Sequence, residues 1–252
     1  MMPGARRDLL IVGGGLAAVV LASWALQIQM ALQLDALANS VPAWQWTPAA
    51  ILATFFMWCV MMVAMMLPTA LPFIWTYWNL AGSRTTSVSR MAGTIAFVCG
   101  YLAAWAVFSA ATTLLQILLD SRGLLSPTLA LAGAGVSGAV VLAAGVYQFT
   151  PMKLACAQKC RTPIGFFMAR WRDGAGGAMA LGIEHGVYCV GCCWMLMAIM
   201  FVVGIMSLAW MAILTAIMLV EKLPSVGERF GRAIGWTGIA AGIVLIVRAW
   251  AE

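Results

Sequence analysis

The sequence predicts an all-α fold, a polytopic transmembrane helical bundle, and three observations predict it. Hydrophobic residues make up 64% of the 252 positions and charged residues only 9%, against about 25% charged in ordinary soluble domains. The apolar residues come in long runs able to cross a hydrocarbon core about 30 Å thick. The charges collect between those runs, overwhelmingly on one side of the predicted membrane.

The first run, Leu9 to Gln33, follows Arg6 and Arg7. It is longer than the apolar core of a cleaved signal peptide, roughly 7–15 residues, so it is expected to be retained. The runs Ala49 to Trp78 and Met91 to Leu119 come next, then Thr128 to Phe149, which Thr150-Pro151 closes because proline cannot continue the helical hydrogen-bond ladder. Ala178 to Val203, Ser207 to Val220 and Ala233 to Trp250 complete the set. This gives about seven helices, or six if the Ser207–Val220 run only continues the fifth through a kink at Val203-Gly204.

With the N-terminus cytoplasmic, the inside segments hold Arg6, Arg7, Arg84, Arg90, Lys153, Lys159, Arg161, Arg170, Arg172, Lys222, Arg229 and Arg232, and only Arg122 and Arg248 fall outside. This is the bias that the positive-inside rule describes. The net charge of +6 therefore reflects topology and implies no nucleic acid partner; the partner is the lipid bilayer. Residues 1–252 read as a single integral membrane domain, with a basic cytoplasmic loop at about 150–177. No hydrolytic or phosphate-binding motif is present, which argues against an enzyme.

Seven cysteines is an odd number, and Cys59, Cys99, Cys189, Cys192 and Cys193 lie inside predicted helices. An external disulfide framework does not fit that distribution. Cys156 and Cys160 fall in the cytoplasmic loop, one helical turn apart. They form a possible second metal site, a relay from the cytosolic face, or two ordinary reduced thiols.

Chemistry concentrates in the fifth run, where Glu184-His185-Gly186-Val187-Tyr188-Cys189-Val190-Gly191-Cys192-Cys193 contains the only histidine of the chain. Ionisable groups in such a segment are expensive unless partnered, and a metal ion is one such partner. At 3.6 residues per turn, His185, Cys189, Cys192 and Met200 fall within a stripe about 80° wide, with Cys193 at its edge. Glu184 lies roughly 100° away on the other side, which suits an outer, orienting or proton-carrying role. Gly182 and Gly186 beside the stripe allow close approach of a neighbouring helix. The methionine-rich second helix, with Met61 and Met65 on one face, is the expected neighbour. Thiolate, thioether and imidazole together favour Cu(I), with zinc the alternative if only cysteine and histidine bind. Methionine also fills apolar cores without any ligand role, and free cysteine packs as a small hydrophobe, the reading given to Cys59 and Cys99.

Three segments taken in order carry a family resemblance: Met61-Met62-Val63-Ala64-Met65-Met66-Leu67-Pro68; Tyr147-Gln148-Phe149-Thr150-Pro151-Met152-Lys153 followed by Cys156 and Cys160; and Gly182 through Gly204 with Cys189-Val190-Gly191-Cys192-Cys193-Trp194. Together they resemble the bacterial metal-binding integral membrane proteins of the domain of unknown function 2182. The resemblance covers about Thr54 to Lys222. It implies metal binding, with copper handling and no defined reaction, in a bacterial inner (cytoplasmic) membrane.

The leading expectation is a protein that holds Cu(I) for acquisition, storage or delivery to a membrane or periplasmic metalloprotein. Two readings compete with it. A thiol-disulfide oxidoreductase would use the Cys189/Cys192 pair, and a structural subunit of a membrane complex would use the packing motifs Gly231-x-x-x-Gly235 and Gly238-x-x-x-Gly242.

Overall fold

Each of the seven apolar runs contains a helix, but they are not seven equal spans. The computed structural model describes residues 3–37, 46–82, 87–126 and 129–251. Arg84 and Thr128 lie outside the described residues, as do the side chains of Arg6 and Arg7. In chain order the helices are α1 (Pro3–Leu37), α2 (Pro48–Gly82), α3 (Ser87–Ser121), α4 (Ala134–Tyr147), α5 (Pro151–Arg161), α6 (Pro163–Arg170), α7 (Gly174–Ala198), α8 (Met200–Val203), α9 (Leu208–Glu221) and α10 (Gly227–Ala251). Five spans are long and apolar enough to cross a membrane: Val12–Gln33, Pro48–Gly82, Ser89–Ser121, Gly174–Val203 and Gly227–Ala251. The pair α4 and α5 makes a sixth if its 62° bend is part of one span. The protein is therefore a multi-pass, all-α membrane protein.

The segment read as a loop from about 150 to 177 is helical for most of its length. Thr150 caps α5, its hydroxyl accepting from the Lys153 amide at 3.3 Å, and Pro151 starts the helix where a missing N–H does no harm. Lys153, Cys160, Phe166 and Phe167 are buried rather than spread along an interface.

α4 and α9 each have 14 residues, about 21 Å of helix and short of a full crossing. Both stop at the level of the thiols on α7. The Tyr147 hydroxyl at the end of α4 donates to the Gly191 carbonyl at 2.5 Å. Lys222, just past the end of α9, reaches Cys189. Interrupted backbone inside a bilayer is tolerated where protein buries it, and here the two breaks deliver Lys153 and Lys222 to the same place. Gly204, at φ 95°, makes the turn from α8 into α9, a conformation that glycine alone adopts cheaply.

Proline shapes the contact between α1 and α2. Pro68 inside α2 cannot donate to the Ala64 carbonyl, and the Trp24 indole of α1 takes that free acceptor at 3.2 Å. The glycine face of α7 receives α3, not α2. A Cβ at Gly182 would lie 2.9 Å from the Phe97 carbonyl carbon and 3.0 Å from the Tyr101 amide, and one at Gly186 would lie 2.6 Å from Ala104 Cβ. The glycines of α10 serve α4 in the same way: a Cβ at Gly242 would lie 2.7 Å from Leu142 Cα.

The core is divided along its length. At one end Phe73, Tyr77, Phe97, Phe166, Phe167 and Trp171 form an aromatic group, in which Phe73 and Phe97 stack on His185 and Phe166 meets it edge-on. Toward the other end, where Trp58 stacks on Phe201, the buried side chains include Met61, Met62, Met65, Met66, Met197 and Met200. The thiols sit between the two.

Candidate metal centre

The centre is built on α7. An uninterrupted helix from Gly174 to Ala198 turns Cys189, Cys192 and Cys193 inward, and all three are buried. Their sulfurs lie within 4.8 Å of one another, the one such group of potential metal-binding side chains among the described residues. Cys192 Sγ is 3.3 Å from Cys193 Sγ and 3.2 Å from the Cys189 carbonyl. A soft ion placed among them would meet two or three sulfurs without a large rearrangement of the helix.

Cys160 of α5 joins them from a different part of the chain, with its sulfur 3.9 Å from Cys192 Sγ. It therefore lies beside the α7 cluster. Cys156 is half-buried and packs where Gly191 has no side chain, its sulfur 2.8 Å from the position a Cβ would take.

His185 stands outside the group of three. Its ring stacks on Phe73 at 3.7 Å with 20° between planes, and Tyr101 flanks it at 5.3 Å. Neither ring nitrogen has a hydrogen-bond partner, although both are buried. Buried, unpartnered imidazole nitrogens are costly, and an ion or a bound ligand group would relieve that cost. Met61, Met65 and Met200 are fully buried in the same core. Glu184 faces away: its carboxylate pairs with Arg170 of α6, and its side chain is 24% exposed. Cys59 and Cys99 stay outside the cluster, half-buried and exposed respectively.

Several polar residues that the sequence did not single out surround the sulfurs. The Tyr101 hydroxyl of α3 donates to the Met66 carbonyl at 3.0 Å and lies 3.2 Å from Cys189 Sγ. The Lys222 ammonium donates to Cys189 Sγ at 2.9 Å and to Thr69 Oγ1 at 2.6 Å. The Lys153 ammonium donates to the Cys192 carbonyl and to Glu221 Oε2, both at 2.6 Å, and the Arg161 guanidinium donates to the Glu221 carbonyl at 2.8 Å. Tyr147, which holds Gly191, and Lys153 both stood in a motif of the sequence, though neither was given a role there.

Such an array holds sulfurs in fixed positions inside a sealed core. A family model described as PpoB2, copper chaperone, matches residues 55–245. No curated protein and no solved structure matches the chain.

Proposed function

The chain belongs to the copper chaperone family, and from that premise we propose that it carries copper as Cu(I) on Cys189, Cys192 and Cys193 within the membrane. The observation that carries this reading is the mutual approach of three buried sulfurs within 4.8 Å on one helix. Sulfur donors select Cu(I) over harder ions, and thioethers add to that preference. Met61, Met65 and Met200 supply thioethers in the same core, and the unpartnered nitrogens of His185 offer a further donor. Cys160, close to Cys192, is a fourth sulfur that a zinc ion, which usually takes four ligands, would use.

Copper is cargo in this reading. The chain takes the ion up from one side and releases it to a copper-requiring protein in or beyond the membrane. The membrane is the bacterial inner membrane, with the N-terminus cytoplasmic, as the charge bias of the loops supports. The motif resemblance to the domain of unknown function 2182 is read as membership of this same family.

Metal analysis of the detergent-purified protein, beside a Cys189→Ser, Cys192→Ser, His185→Ala variant, tests the proposal. About one copper per chain that disappears in the folded variant is expected. Zinc in its place, or copper unchanged in the variant, would overturn it.

A further inference from the structure

Lys222 is placed where a loop lysine has no structural reason to be. It follows α9, and because α9 ends after only 14 residues its ammonium reaches the sulfur cluster instead of the membrane surface. There it bridges Cys189 Sγ and Thr69 Oγ1. The neighbouring Glu221 does not serve as its partner, since that carboxylate is paired with Lys153. Among the described residues the carboxylate pairs are Lys153–Glu221, Arg170–Glu184 and Arg232–Glu228, and none includes Lys222. A cation drawn into an apolar bundle needs a counter-charge. The nearest group able to become one is the sulfur it touches.

Charge balance then links this lysine to the cargo. When Cu(I) replaces the protons of two of the three thiols and the third keeps its own, Cu⁺ + 2 RSH gives [Cu(SR)₂]⁻ + 2 H⁺, and the complex carries one negative charge. An isolated anion in such surroundings is strongly disfavoured. One ammonium beside it brings the total to zero. Lys153 cannot do this, because Glu221 already cancels its charge.

We propose that Lys222 belongs to the copper site as a positioning residue, its ammonium serving as the fixed counter-charge of a two-thiolate Cu(I) complex. This rests on the Cu(I) reading above. Thr69 holds the ammonium from α2, and Tyr101 holds the Cys189 sulfur from α3, so the lysine is poised before the ion arrives. A second monovalent soft ion, Ag(I), balances the charge in the same way.

The test is competition against a chromogenic chelator for Cu(I) and Ag(I), using the full-length protein in detergent and its Lys222→Met, Lys222→Arg and Thr69→Val variants. Removing one unit charge about 5 Å from the ion, at an effective dielectric of about 20, weakens binding by about 250-fold. That loss is expected for Lys222→Met with stoichiometry unchanged, while Lys222→Arg and Thr69→Val stay within about tenfold of wild type. A Lys222→Met protein that melts earlier but binds both ions as tightly as wild type would show a purely structural lysine and overturn the inference.

If Lys222→Met does not fold, the wild-type chain still decides. Its three lysines, Lys153, Lys159 and Lys222, give few ¹⁵Nζ signals, and Lys222→Arg assigns the relevant one. That signal is expected to shift on Ag(I) loading; a signal that stays in place overturns the inference. A wild type that takes up neither ion overturns the copper reading and this inference with it. Tight binding that survives Lys222→Met overturns this inference alone.

Discussion

Breaking the Lys153–Glu221 pair should unsettle the centre without touching a sulfur. The two charges are 2.6 Å apart, with side chains 4% and 5% exposed. Removing one partner of a buried pair leaves the other charge stranded, which costs about 3–5 kcal/mol. Glu221→Ala leaves the Lys153 ammonium with the Cys192 carbonyl as its remaining acceptor, which places the loss near the lower bound, about 3 kcal/mol. Lys153→Met is the more damaging change. It takes the partner of Glu221 Oε2, while Oε1 has no partner to begin with, so about 4–5 kcal/mol is expected. Removing both charges together, as in Lys153→Met with Glu221→Ala, should recover most of the loss, because neither charge is then left stranded. The assay is denaturant unfolding in detergent across the four proteins of the double-mutant cycle. A coupling of about 5–6 kcal/mol is expected, the two single losses less the small loss left in the double variant. A cycle in which the two single losses simply add, or a Glu221→Ala loss below about 1 kcal/mol, would refute it.

Other changes separate packing from binding. Gly182→Ala drives a methyl group into the backbone of α3 at Phe97 and Tyr101, which no side-chain rotation relieves; a stability loss of about 1–3 kcal/mol should appear in thermal unfolding, with copper affinity falling as Cys189 moves off the Tyr101 hydroxyl. Cys59→Ser and Cys99→Ser should leave the copper content unchanged, since neither residue belongs to the cluster; loss of metal in either would move the site. Glu184→Gln breaks a partly exposed pair with Arg170, a change worth about 1 kcal/mol or less, and metal analysis should find the same copper as in wild type.

The helices and the sulfur face of α7 were legible in the sequence because both follow from periodicity and hydrophobic length. Cys189, Cys192 and Cys193 share a face on any α-helix, and the structure brings their sulfurs together. Periodicity does not say which helix comes to that face. Gly182 and Gly186 promised a close neighbour, and α2 was expected because of its methionines, yet α3 fills the groove with Phe97, Tyr101 and Ala104. Cys160 was legible as a loop thiol or as half of a second site with Cys156, but not as a neighbour of Cys192, because that approach depends on the sharp bend between α4 and α5. Lys153 and Lys222 read as topological charges because basic residues flanking apolar runs usually are. What overturned that reading was the shortness of α4 and α9, whose ends fall inside the bundle, and a break in hydropathy does not reveal its depth.

The central claim is that copper rides on the α7 sulfurs, and X-ray absorption at the copper edge of the Cu(I)-loaded protein tests it most directly. A reduced copper with two or three sulfur neighbours is expected, and loss of that sulfur shell in Cys192→Ser with Cys193→Ser. A copper surrounded by nitrogen or oxygen in the wild type, or a sulfur shell that survives the double substitution, would contradict it.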